Sequence, residues 1–318
     1  MAEYINIKGQ NIEVVSSDPS NPTLGQIWYN TTSQTLKAQG LGVASWASGG
    51  ALGTARRYSG AAGTQTAALG FGGNVPPLTG ATEEYDGTSW AGGGALPVSK
   101  YGMGQAGTQT AALSFGGDPG PAITTTTEEY DGTNWAGGGA MAQARHVFAS
   151  AGTQTAALAS GGSDGTANVA TAEEYNGSTW TAGGTMGTGR AFSYGCGIQT
   201  AGLVFGGSPS TGITEEYDGT SWTGGGTMGT TRNQHAGFGT QTAAAAVGGE
   251  TPPRTAITEL YDGTSWTATT SLPTATGNNA GTGTTTAGLS FGGYATATTG
   301  ATYEFTGAAP VTVTITGS

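Results

Sequence analysis

The chain has 318 residues, 61 of them glycine, with only 9% charged residues and a formal net charge of −11. That acidity excludes the broad cationic surface that sequence-independent nucleic-acid binding requires, and no apolar run is long enough to span a bilayer as a helix. A single cysteine, Cys196, excludes an internal disulfide, so burial and β hydrogen bonding must hold the fold.

In chain order, the opening MAEYINIKGQ carries no cationic stretch followed by an apolar one, so export through a signal peptide is not expected. YINIKG and NIEVV alternate as short strands, SSDPSNP is a turn-rich linker, and GQIWYNTTSQTLKAQ reads as a hairpin. Residues 1–42 are thus expected to form a short β attachment module. The phrase DPSNPTLGQIWYNTTSQTLK, Asp18 to Lys37, resembles segments near the N-termini of bacteriophage virion proteins, notably fibre and tail-associated ones. The resemblance implies that residues 1–42 dock on other virion proteins while the rest of the chain points outward.

Residues 43–307 repeat. Trp46, Trp90, Trp135, Trp180, Trp222 and Trp266 are spaced by 44, 45, 45, 42 and 44 residues. A glycine pair follows each of them: Gly72-Gly73, Gly116-Gly117, Gly161-Gly162, Gly206-Gly207, Gly248-Gly249 and Gly292-Gly293. Between glycine pair and next tryptophan stands an aromatic, Tyr85, Tyr130, Tyr175, Tyr217, Tyr261 and finally Phe305. Each repeat reads as four strands: RRYSGAA, then AALGFGG after the turn GTQT, then ATEEYDG, then SWAGGGAL after the turn at Asp86-Gly87. Four strands per repeat of this length is the arithmetic of a propeller blade. Trp46 precedes the first complete set, whereas the last set has no tryptophan strand after it. The strand around Val43 to Gly50 is therefore expected to complete the last sheet and leave no open edge. Crowding of inner strands near an axis accounts for the glycine pairs. The Tyr and Trp columns read as packing between sheets.

The order of glycine pair, tyrosine and tryptophan resembles the kelch motif, and six repeats carry it in register. The resemblance implies an all-β, six-bladed kelch-like β-propeller, and no particular ligand. The last segment, PVTVTITGS in residues 308–318, alternates as a strand with no blade left to join; it either caps the attachment module's sheet or pairs with a neighbouring subunit.

Charge falls in columns. Arg56, Lys100, Arg145, Arg190 and Arg232 share one repeat position, with Thr276 in the sixth. They form a candidate ligand-binding ring: either an electropositive mouth that captures an anionic group such as a sugar acid or phosphate, or a set of ties between neighbouring blades. Glu83, Glu128, Glu173, Glu215 and Glu259 sit two before the aromatic, with Tyr303 in the sixth repeat. The repeat without the cation thus also lacks this glutamate, which invites a salt bridge, yet strand order argues against one within a blade. Single glutamates a blade apart do not make a calcium cage, and neither a metal nor a cofactor is expected.

The loops between second and third strands vary (NVPPLTG, DPGPAITTT, SDGTANVA, SPSTGI, ETPPRTA, YATATTG), and alternation puts them on the face of the cationic ring. That face is the expected recognition surface. Two histidines, His146 and His235, stand at different repeat positions and assemble no catalytic set, so the chain does not read as an enzyme. The copper site of galactose oxidase, a kelch enzyme, has no counterpart here. The sequence therefore predicts a structural or accessory protein of the virion, a fibre, tail-associated or decoration subunit assembled in host cytoplasm, displaying a face for a host or environmental glycan. A free protein-binding module is the alternative and a carbohydrate-active enzyme the third; the residues leave a homo-oligomer open.

Overall fold

Threonine, valine and aromatic side chains alternating between glycine turns favour extended backbone, and among the described residues every regular element is a strand. The structure is a computed structural model that describes residues 12–316, so the YINIKG stretch lies outside the described residues. The chain divides into two compact modules, Met1–Ala44 with Gly307–Ser318, and Ser45–Thr306.

The small module is one four-stranded sheet in the order Glu13–Val15, Ile27–Asn30, Thr35–Leu41, Pro310–Ile315. Its first pair is parallel and the other two are antiparallel. Of the two partners open to the C-terminal strand, it takes this sheet, running from Pro310 opposite Leu41 to Ile315 opposite Leu36. Trp28 and Leu36 are buried in it. Asp18 ties it together by accepting hydrogen bonds from Trp28 Nε1 (3.0 Å), Asn30 Nδ2 (2.7 Å) and Lys37 Nζ (2.6 Å). Led by the bond from Lys37, these donors hold its carboxyl down at about 2. The Asp18 to Lys37 phrase is thus one hydrogen-bonded knot.

The large module contains six four-stranded antiparallel sheets. In the first, Gly60–Thr64, Ala67–Phe71, Thr82–Tyr85 and Trp90–Gly93 follow one another in chain order. The sixth is Ala280–Gly283, Ala287–Phe291 and Thr302–Thr306, completed by Ser45–Ser48 with Trp46 opposite Phe305. The N-terminal strand therefore fills the last sheet as expected. The six first strands neighbour one another in a closed circuit, a propeller-like arrangement.

Side chains at fixed repeat positions join each sheet to the one before it. Gln154 Nε2 donates to the carbonyls of Ala112 (3.1 Å) and Tyr130 (2.7 Å), and Gln65, Gln109, Gln199 and Gln241 make the same fork. Tyr130 Oη donates to Glu84, Tyr175 to Glu129, Tyr217 to Glu174, Tyr261 to Glu216 and Tyr85 to Glu304, at 2.5–2.7 Å. Trp135 packs on Phe71, Trp180 on Phe115, Trp266 on Phe205 and Trp90 on Phe291, with centroids 4.8–5.0 Å apart. The indole N–H of Trp135 and Trp180 reaches Thr82 and Thr127 of the preceding sheet.

One joint differs. Between the fifth and sixth sheets the glutamine position is Thr285, the tyrosine is Phe305 and the glutamate is Leu260. There Trp46, Phe238 and Phe305 form an aromatic cluster with centroids 5.0–6.4 Å apart.

The glycine pairs are crowded, by the next repeat's entry segment and not by the inner strands themselves, and backbone conformation is a second cause. They end the second strand in left-handed backbone, with φ of +61° at Gly72 and +108° at Gly73, a conformation that strongly favours glycine. A Cβ at Gly72 would lie 2.5 Å from Met103 and 2.9 Å from the Lys100 carbonyl, both in the next repeat. The pair thus lets one sheet approach its successor's entry segment.

The glutamine fork sets a test. Gln154→Ala strands two buried carbonyls and should lower unfolding free energy by about 1–3 kcal/mol, read in denaturant titration as a lower midpoint at unchanged slope.

Candidate functional site

The cationic column is interior. Arg56, Lys100, Arg145, Arg190 and Arg232 are all 0% exposed. Each is paired with the glutamate of its own repeat: Arg145 with Glu173 at 2.8 Å, Lys100 with Glu128 at 2.5 Å, Arg56 with Glu83, Arg190 with Glu215 and Arg232 with Glu259. The ring is therefore not an open electropositive mouth, and the pairing that strand order argues against within a blade is made. The reason is that these cations do not stand on the first strand. They end the linker arriving from the previous sheet, and that linker lies over the third strand, where the N–H groups of Gly53 and Thr54 also bond to Glu83. The guanidinium of Arg145 donates in addition to the carbonyls of Gly161 (3.0 Å) and Thr171 (2.7 Å), fastening both ends of the loop between second and third strands. Burial pulls these groups below their ordinary values and the paired carboxylate opposes it. In the sixth repeat both partners are lost together, as Thr276 and Tyr303.

The residues two positions beyond the cation build the axis. Tyr58, Gly102, Val147, Phe192, Gln234 and Asn278 all have positive φ, between 48° and 62°. Each accepts from its successor's backbone N–H, in order at 3.1, 2.6, 2.6, 3.0 and 2.6 Å, and Tyr58 N returns to Asn278 O at 2.9 Å. Six peptide groups thus form a closed hydrogen-bonded annulus. Among repeats otherwise so alike, these side chains do not repeat, and they point to a purpose other than joining sheets.

Below the annulus the axis is bridged. Tyr194, where the other repeats have glycine or alanine, donates to the Gly281 carbonyl at 2.6 Å and accepts from Gln105 Nε2 at 2.8 Å; Gln105 Oε1 in turn accepts from Ala61 N. Four repeats are tied by this one contact chain. Above it lies a small blind chamber of about 80 Å³, lined among others by Tyr58, Phe192, Gln234 and Asn278. Tyr58 reaches across its mouth, its hydroxyl 3.2 Å from Gln234 Oε1 and its ring 6.2 Å from that of Phe192. Oδ1 of Asn278 is buried without a hydrogen-bond partner.

The variable loops share this face. Arg57 bridges to Asn74, Tyr101 to Asp118 and His146 to Ser163, joining the residue after each cation to the residue after its glycine pair. At the rim, Arg57 and Arg254 stack on Tyr294, 5.3 and 4.5 Å from its centroid. Sequence reasoning passed over these residues because it looked for columns that repeat; the signal was in the columns that do not.

No hydrolytic set forms around the histidines. His146 Nδ1 is 3.6 Å from Asp118, and His235 is wedged between sheets, 5.4 Å from the Phe205 ring. Cys196 is buried and its thiol is pushed up by that burial. Among the described residues, no group of three His, Cys, Asp or Glu side chains is arranged to hold a metal.

Two tests follow from this geometry. Removing one partner of a buried pair leaves the other charge uncompensated, so Arg145→Ala and Arg190→Ala should each cost about 3–5 kcal/mol in thermal or denaturant unfolding; a melting point unchanged from the parent chain would contradict a structural role. Burial, with Arg232 and Arg190 nearby, keeps His235 well below its ordinary 6.5. Because the folded value lies under the unfolded one, this stability is complete above about pH 6.5 and is lost on acidification, at up to about 1.4 kcal/mol per pH unit. His235→Phe, which installs the residue found at Phe148, should flatten the fall in melting temperature between about pH 7 and 5; an unchanged pH profile would assign that fall to other groups. No protein-family model matches this sequence, and the search of curated proteins finds no match either.

Proposed function

We propose that the chain is a virion structural or accessory protein, a fibre, tail-associated or decoration subunit, whose larger module is a six-bladed kelch-like β-propeller displaying one face for a host or environmental glycan. One observation carries the reading: the repeating polar residues are consumed in joints within and between sheets, whereas the non-repeating ones gather at the annulus, its chamber and the variable loops. A rigid frame with variable side chains on one face is the arrangement of a recognition surface. The kelch likeness is supported by the roles of its motif residues, since the glycine pair, tyrosine and tryptophan all serve neighbouring-sheet contact.

Attachment is assigned to residues 1–42. In favour stand the virion-like phrase folded as one knot around Asp18, and apolar side chains left in water at Val14 (66% exposed) and Leu41 (58%). Side chains of this kind suit docking against another subunit. No catalytic step is proposed. Mass spectrometry of purified particles should find the chain at stoichiometric level, and a chain lacking residues 1–42 should fail to incorporate. Absence from particles, together with a stoichiometric host-protein partner in pull-down, would replace this reading with that of a free protein-binding module.

A further inference from the structure

The large module carries seven cations: the five buried in pairs with glutamate, Arg57 and Arg254. The last two belong to no column. The position of Arg57 is Tyr101, His146, Ala191, Asn233 and Gly277 in the other repeats, and Arg254 stands in a variable loop. They converge nonetheless, stacked on the same Tyr294 ring. Arg254 is neutralised by Glu250 at 2.9 Å. Arg57 has no carboxylate partner among the described residues, and its Nε is buried without a hydrogen-bond acceptor. Its guanidinium carbon lies 5.8 Å from the centroid of Tyr58, the residue that spans the chamber mouth. An unpaired guanidinium thus stands beside a blind, aromatic and amide-lined cavity, on a chain that is acidic overall.

Resting on the glycan reading above, we infer that the chamber and its rim bind a terminal sugar residue that carries a carboxylate. The blind floor at Tyr194 and Gln105 admits an end group and stops a through-running chain. The annulus has already used its backbone N–H and C=O groups on itself, so recognition falls to side chains. Tyr58 and Phe192 offer apolar ring faces to a pyranose, while the side-chain amide of Gln234 meets its hydroxyls. The carboxylate goes to Arg57, whose planar fork matches it. A neutral sugar would leave Arg57 unanswered, and a bare anion would leave the chamber unfilled.

The test is saturation-transfer NMR on the full chain with glucuronate, glucose and inorganic phosphate as separate probes. Glucuronate should show transfer; glucose should be at least about tenfold weaker, the worth of one charge-assisted contact. Arg57→Gln, which breaks no ion pair in the protein, should reduce glucuronate binding by a similar factor. Gln234→Glu, which keeps the shape and adds a negative charge inside the mouth, should reduce it further while leaving the melting temperature near that of the parent chain. Glucuronate binding that survives Arg57→Gln, equal transfer to glucose, full competition by phosphate, or no transfer to glucuronate would each overturn the inference. Those outcomes are independent of particle incorporation, so the failure of this site and the failure of the virion reading are separately visible.

Discussion

The large module depends on a circle of six peptide hydrogen bonds made by residues held in left-handed backbone. For alanine-like residues that conformation costs about 1–2 kcal/mol each, and for β-branched Val147, at φ +48°, it is rarer still. The cost is tolerated because the circle has no end. Each N–H finds its carbonyl only if the neighbouring sheet is present, so every sheet's entry segment is positioned by two others. From that circle the first strands, the glycine pairs and the linkers carrying the cations all take their places.

Two kinds of polar residue surround this axis, and magnitudes separate their roles. A buried ion pair contributes little net stability against an apolar substitute, but breaking one partner costs several kcal/mol. The five cation–glutamate pairs therefore act as obligatory locks, and Arg56, Arg145 and Arg232 also fix a loop base through carbonyls such as those of Gly161 and Thr171. A residue so committed is not available to a ligand. Residues that vary from repeat to repeat, by contrast, are under no common packing demand, and Tyr58, Phe192, Gln234 and Asn278 are free to be chosen for what enters from solvent.

Much of this was legible in the sequence. The tryptophan spacing and glycine pairs announced four-strand repeats, and the missing tryptophan strand after Phe305 announced that Trp46 would supply it, as it does. The pairing of Arg145 with Glu173 was signalled by the joint loss at Thr276 and Tyr303, but counting strands hid it because the linker's path over the third strand is a tertiary fact. The glycine pairs were legible as points of crowding but their left-handed backbone was not, since positive φ leaves no mark on composition. The axial bridge was invisible: Tyr194 looks like one more tyrosine until the strand positions show that its counterparts are glycine and alanine.

The aromatic joint at Trp46, Phe238 and Phe305 bears on a problem inherent in near-identical repeats. Five joints share one polar vocabulary of glutamine fork and tyrosine–glutamate bond, and a sheet using that vocabulary is acceptable to almost any neighbour. A nascent chain of such sheets is open to skipped partners and to exchange with a second chain. The joint at Leu260, Thr285 and Phe305 lacks that vocabulary, and the sixth sheet is matched to the fifth through an aromatic cluster whose Trp46 indole donates to the Thr270 carbonyl at 3.0 Å. It gives an otherwise cyclic pattern an address, and the chain one place at which to begin counting.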